Sequence, residues 1–128
     1  MSPPEIERDD QRSLGVAGEG AALAALLPLL PSAGLATLGP GDDSAVLSVP
    51  DGRVVISCDM MIEGPDFRRD WSSLGDVGFK AIASNAADIA AMGAVVTGYE
   101  IAVAAPPATT VGELKGLARG FAEGIAAL

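Results

Sequence analysis

Three short segments of this sequence carry acidic and hydroxyl side chains where regular elements should begin or end. Residues 39–43 are rich in glycine and proline, which predicts a turn that finishes in two adjacent carboxylates. Residues 57–59 read Ser-Cys-Asp, and residues 85–88 read Asn-Ala-Ala-Asp. Oxygen atoms of this kind are the ligands that Mg²⁺ prefers, especially where the ion also holds phosphate groups. The candidate ligands are Asp43, Ser57, Asp59 and Asp88.

The predicted elements explain how two of these segments could meet. Residues 44–49 and 53–57 are both rich in β-forming side chains, and Pro50-Asp51-Gly52 between them is a turn signal. A hairpin over these runs places Asp43 and Asp59 at the same end, because one precedes its first strand and the other follows its second. Spacing alone does not show that Asp88 joins them.

Helices are predicted from capping signals and apolar periodicity. Ser73 and Asp76 form a capping box that opens a helix running to about Met92, and residues 110–113 form a second one. Residues 95–104 alternate like a third strand. We therefore expect a flexible tail over 1–17 and one α+β domain over 18–128, with a mixed or antiparallel sheet and helices on one face.

Composition excludes several function classes. The 17 acids against 8 bases give a net charge of −9, which disfavours binding to nucleic acid or an anionic membrane. The chain has no histidine, which excludes His-dependent triads and His-ligated metals within it. The single cysteine, Cys58, suits a reducing cytoplasm, and the longest apolar run, 21–30, is too short to span a bilayer. If the protein is an enzyme, its proton acceptors are carboxylates, and we name no catalytic residue.

Two features of the sequence allow more than one interpretation. Residues 60–71 are long for a loop, and their pair Arg68 and Arg69 either holds a phosphate group or forms an ordinary solvated charge cluster. Asn85 falls inside the apolar arc of its helix and Asp88 on its border, so each needs a polar partner. That partner is a metal or ligand, or else the backbone of a neighbouring segment.

Three stretches in order resemble a known family. Residues 39–46 read GPGDDSAV, residues 55–64 read VISCDMMIEG, and residues 80–94 read KAIASNAADIAAMGA. Together they resemble the bacterial thiamine-monophosphate kinases, within the aminoimidazole ribonucleotide synthetase-like superfamily. The resemblance covers roughly residue 18 to the last residue.

The resemblance implies a fold, a reaction and a set of partners. The fold is the N-terminal domain of the aminoimidazole ribonucleotide synthetase-like fold, whose sheet pairs with a second copy to form a dimeric β-barrel. The reaction is phosphoryl transfer from ATP to thiamine monophosphate, giving thiamine diphosphate, with Mg²⁺. By position, the four candidate ligands match the family's magnesium ligands. Cys58 falls beside the metal where the family usually has a threonine, and Asp66 falls where a histidine usually faces the substrate.

The resemblance leaves three functions open. The resemblance implies a second domain and a Gly-Gly-Asp motif that are not among these 128 residues. We therefore expect the isolated chain to be an incomplete, inactive kinase. One alternative is a non-catalytic dimerisation module of the same fold. Another is a related ATP-dependent enzyme with a different substrate, because Asp66 changes the charge offered to a phosphorylated ligand.

Overall fold

The computed structural model describes residues 9–32, 36–38, 44, 46–49 and 51–128. Four α-helices lie entirely within these ranges, together with a short 3₁₀ helix and two short strands. In chain order they are α1 (Leu14–Ala17), α2 (Glu19–Leu26), the 3₁₀ helix (Leu27–Leu29), β1 (Ala36–Leu38), β2 (Val46–Leu47), α3 (Leu74–Ala91) and α4 (Val111–Ala127).

The core lies between the two long helices, α3 and α4, with α2 and the 3₁₀ helix packed against α4. Both long helices bury glycines at their contact, which lets their backbones approach closely. The buried apolar residues are Ala22, Val77, Ile82, Val111, Leu114, Ala118 and Phe121. The helix pair therefore forms the rigid support on which the other segments rest.

Both predicted capping boxes are present. The Ser73 hydroxyl accepts from the Asp76 backbone N–H at 3.2 Å, and the Asp76 carboxylate accepts from the Ser73 N–H at 2.8 Å. Thr110 and Glu113 repeat the arrangement at the start of α4. The predicted end of α3 is also found: Met92 is its C-cap, and Gly93 follows with a φ of 70°.

The sheet is smaller and differently paired than predicted. The described strands form a two-stranded antiparallel ladder in which Ala36 faces Leu47 and Leu38 faces Val46. The turn before residue 53 is formed, since the Gly52 N–H donates to the Val49 carbonyl at 3.2 Å. However, no strand is assigned over 53–57 or 95–104, so the hairpin and the third strand are wrong for this single chain. A run of β-forming residues reflects only the preferences of its side chains. A strand also needs a neighbouring strand that hydrogen-bonds to its backbone.

Part of the predicted N-terminal tail is held against α4. The N–H groups of Leu14 and Gly15 donate to the carbonyls of Thr109 and Pro107, at 2.7 and 2.8 Å. Lys115 of α4 also pairs with Asp10. Residues 9–17 are thus docked by contacts that are distant in sequence, which the polar composition of this segment did not reveal. No helix in the described ranges has the length and apolar character needed to cross a bilayer.

The capping box of α4 predicts a pH dependence of stability. A hydrogen bond from the Thr110 backbone N–H, with a further one from Arg69, lowers the pKa of Glu113. The ionised carboxylate therefore stabilises the fold above the unfolded-state pKa of about 4.3, and this is lost as pH falls through the lower folded pKa.

We expect Glu113→Gln to reduce the free energy of unfolding at pH 6 by less than about 1 kcal/mol, since the site is partly exposed. The deficit should shrink towards zero at pH 3, as measured by urea denaturation at each pH. Glu123→Gln, which removes an exposed carboxylate further along α4, is the control. A deficit of the same size at both pH values contradicts a role for the Glu113 charge.

Candidate functional site

Two side chains on one face of helix α3 form hydrogen bonds with residues 57–59. The Ser57 hydroxyl donates to the Asp88 carboxylate, with an Oγ–Oδ2 distance of 2.9 Å. The two residues are 31 positions apart in sequence, so the contact depends on the tertiary fold. The structure thus joins two of the candidate ligands directly.

Asn85 makes the second contact between α3 and this segment. Its side-chain oxygen accepts from the Asp59 backbone N–H at 3.1 Å, and its side-chain nitrogen donates to the Ala81 carbonyl at 3.0 Å. Asn85 lies one turn before Asp88, so both residues face the same segment. Of the two interpretations of Asn85, the backbone-partner one is therefore found. The Asp59 main chain is fixed, while its carboxylate is exposed and makes no hydrogen bond within the described ranges.

The other two candidates for the metal site have different positions. Cys58 is an exposed free thiol between Ser57 and Asp59. Asp43 lies outside the described residues. In the part of the chain that the structure describes, no three acidic or cysteine side chains form a cluster that could hold a metal ion. Ser57, Asp59 and Asp88 are thus the partial set of predicted ligands that lies within the described residues, and their binding of a metal stays a prediction.

The donor chemistry of this partial set suits a magnesium ion. A hydroxyl and two carboxylates are hard oxygen ligands, and Asp59 and Asp88 are both exposed. Mg²⁺ retains several water molecules and is usually held by one or two carboxylates together with substrate phosphates. The exposed Asp88 carboxylate, which accepts from the Ser57 hydroxyl, is compatible with that mode of binding.

Asp66 is used within its own loop. Its carboxylate accepts from the Ile62 N–H at 2.8 Å, and its own N–H donates to the Ile62 carbonyl at 3.0 Å. Lys80 of α3 donates from Nζ to the Asp66 carbonyl at 2.6 Å. The substrate-facing role of Asp66 stays a prediction, and its carboxylate already has an intraloop partner.

Both arginines of the neighbouring segment are paired with acids. Arg68 makes a bidentate contact with the Asp70 carboxylate, at 2.9 Å from Nε and 2.5 Å from Nη2. This contact lowers the pKa of Asp70. The Arg68 guanidinium also lies 4.3 Å from the centre of the Trp71 ring. Arg69 pairs with Glu113 of α4. The charge-cluster interpretation of these arginines therefore describes the structure.

Sequence reasoning required a polar partner for Asn85 without identifying it, and it assigned no role in the site to Lys80. Each acts on a backbone group of a segment that is distant along the chain, and no local pattern records such a partner. The one available signal was the position of Asn85 on an apolar helical arc, which required a hydrogen-bonding partner.

Comparison with known families decides the classification. The model of the family "AIR synthase related protein, N-terminal domain" matches residues 41–128, which include every candidate site residue. The chain belongs to this family. The resemblance to the aminoimidazole ribonucleotide synthetase-like superfamily is thereby confirmed.

Several relatives of this AIR synthase related domain carry one name. The chain is 50% identical over 86 residues to the thiamine-monophosphate kinase of Mycobacterium tuberculosis (strain ATCC 25618 / H37Rv), a match that covers 67% of this chain and 26% of that protein. It is 46% identical over 83 residues to the enzyme of that name from Corynebacterium glutamicum, covering 63% and 25%. For the Bacillus subtilis protein the values are 39% over 87 residues, covering 67% and 27%. The chain thus spans about a quarter of the length of these relatives, and no solved structure matches it.

Proposed function

We propose that this chain is the N-terminal domain of a thiamine-monophosphate kinase, which transfers a phosphoryl group from ATP to thiamine monophosphate and forms thiamine diphosphate. The observation that carries the proposal is the 50% identity over 86 residues to a protein of that name. The contact between Ser57 and Asp88 supports it, because two matched positions lie together in the fold. We place the reaction in the cytoplasm, which the single free cysteine fits.

The proposed chemistry depends on positioning and charge. Asp43, Ser57, Asp59 and Asp88 would hold Mg²⁺, with Cys58 beside them, and the ion would neutralise charge on the phosphate oxygens. Within the chain, the Ser57 hydroxyl restrains the Asp88 carboxylate, and Asn85 holds the main chain of Asp59. Preorganised groups of this kind cost little reorganisation when charge develops in the transition state. Phosphoryl transfer needs little covalent chemistry from a protein, which suits a site made only of oxygen donors.

The test is turnover by the protein in its full natural length. Purified protein is incubated with ATP, Mg²⁺ and thiamine monophosphate, and the products are separated by liquid chromatography. We expect ADP and thiamine diphosphate in equal amounts and no product when EDTA removes the metal. Unphosphorylated thiamine is the substrate control. ADP release with another phosphorylated substrate, but none with thiamine monophosphate, would instead support the related enzyme with a different substrate.

The second candidate function is a non-catalytic dimerisation module. Apolar side chains in the segments without assigned strands are exposed, including Ile56 at 81% and Val95 at 85%. Such residues suggest a surface that a second copy covers, with these segments completing a shared sheet. A full-length protein that sediments as a dimer, yet makes no product from ATP with any phosphorylated substrate tested, would favour this module over the kinase.

A further inference from the structure

We propose that Lys80 is a positioning residue that sets the loop 62–67, and with it residue 66, at a fixed distance from Asp88. The inference rests on the proposed function, since residue 66 is the position expected to face the substrate. It assigns Lys80 a role that is separate from binding the metal or the transferred group. The observation behind it is the contact from Lys80 Nζ to the Asp66 carbonyl at 2.6 Å.

The loop 62–67 is closed by its own hydrogen bonds. The Gly64 N–H donates to the Phe67 carbonyl at 2.7 Å, and Asp66 exchanges two bonds with Ile62. Gly64 has a φ of 101°, a conformation that a residue with a Cβ rarely adopts. These contacts fix the internal shape of the loop, but they do not fix its place relative to α3.

Lys80 provides that second constraint. Within the described ranges, its bond to Asp66 is the one hydrogen bond that joins loop 62–67 to α3. Lys80 also makes no ion pair there, so this carbonyl is the partner of its ammonium group in the described part of the chain. A charged donor makes this bond stronger than a neutral one of the same length.

Helix α3 transmits the constraint to the candidate metal site. Lys80, Asn85 and Asp88 lie on one helix, and eight residues of α-helix span about 12 Å. The helix is held by its capping box and by the buried side chains of Val77 and Ile82, so it behaves as a rigid rod. Residue 66 is attached to α3 through Lys80, and Asp88 lies on the same helix. The helix therefore sets the distance between residue 66 and Asp88.

Lys80→Met in the full-length protein tests this role. Methionine keeps an unbranched apolar stem and removes the donor. We expect KM for thiamine monophosphate to rise about tenfold while kcat changes less than about twofold, because the bond lost holds the substrate side of the site. The dependence of the rate on Mg²⁺ concentration should be unchanged. In Lys80→Arg, KM should return most of the way to the wild-type value. The control is Lys115→Met, which removes the chain's other lysine from its pair with Asp10 and should leave KM unaltered.

A second readout separates this proposal from the proposed function. Hydrogen exchange of the Gly64 and Asp66 amides is measured by NMR, and we expect it to be faster in Lys80→Met than in the wild type or Lys115→Met. If the wild-type protein turns over no thiamine monophosphate, the proposed function fails, and the exchange rates alone decide whether Lys80 holds the loop. Unchanged exchange overturns the role of Lys80, and so does an equal loss of activity in both lysine variants.

Discussion

Replacing Gly120 by alanine is expected to lower the free energy of unfolding by about 3 kcal/mol, the upper end of the usual cost of overpacking. A Cβ at position 120 would overlap the backbone carbonyl oxygen of Gly75 in the first turn of α3. Backbone atoms cannot rotate aside as a side chain can, so the two helices would have to separate. Separation would in turn loosen the contacts around Phe121 and Ile82, which are buried between them.

Gly116→Ala is the matched control for this prediction. Gly116 lies one turn earlier on α4, and a Cβ there would meet nothing within 4 Å. Alanine is a better helix former than glycine by up to about 1 kcal/mol, so this variant should be as stable as the wild type or more so. Urea unfolding followed by circular dichroism compares the three proteins. If Gly120→Ala and Gly116→Ala have equal midpoints, the close approach of the helices does not contribute to stability.

The close helix contact also concerns the candidate site. Helix α3 carries the three side chains that reach other segments, Lys80, Asn85 and Asp88. Its position is set by its contact with α4, where Gly78 and Gly124 add further close approaches. A shift of α3 away from α4 would therefore move these three hydrogen-bonding side chains together. The glycines of the core thus affect the geometry of the site.

Local patterns in the sequence predicted the helices well. The two capping boxes are formed by residues three positions apart, so the sequence contains both partners of each hydrogen bond. The end of α3 at Gly93 is equally local, since glycine readily adopts a positive φ. These features needed no knowledge of the rest of the chain.

Non-local pairing limited the remaining predictions. Residues 53–57 have strand-like composition, yet Ser57 and the following Asp59 bond to side chains of α3 and not to a neighbouring strand. The sequence predicted one site for Ser57, Asp59 and Asp88 because all three offer oxygen ligands; the structure brings Ser57 and Asp88 into contact, and the metal-binding role stays a prediction. It gave a backbone partner as one alternative for Asn85, but it could not identify that partner or the partner of Lys80, since any carbonyl or N–H can serve as one.

The candidate metal site leads to the prediction with the largest functional effect. In the full-length protein, Asp88→Asn is expected to weaken Mg²⁺ binding in the presence of an ATP analogue by about 100-fold or more. Loss of residues that only support metal ligands costs 10- to 100-fold, and loss of a direct carboxylate ligand should cost at least as much. Asparagine can still accept the hydrogen bond from Ser57, so the variant removes the charge with little change in shape.

Isothermal titration with Mg²⁺ at constant ionic strength measures this effect, and two further variants identify its cause. Asp59→Asn should weaken binding to a similar degree, because we propose that its exposed carboxylate binds the same ion. Glu123→Gln removes the same charge from an exposed position on α4 and should leave the affinity within about twofold, since distant surface charges are screened by salt. If all three variants bind alike, the net charge of the protein attracts the ion and the Ser57–Asp88 site does not hold it. If only the Asp59 and Asp88 variants lose binding, the 2.9 Å contact between α3 and residue 57 belongs to a metal site built from segments that the fold brings together.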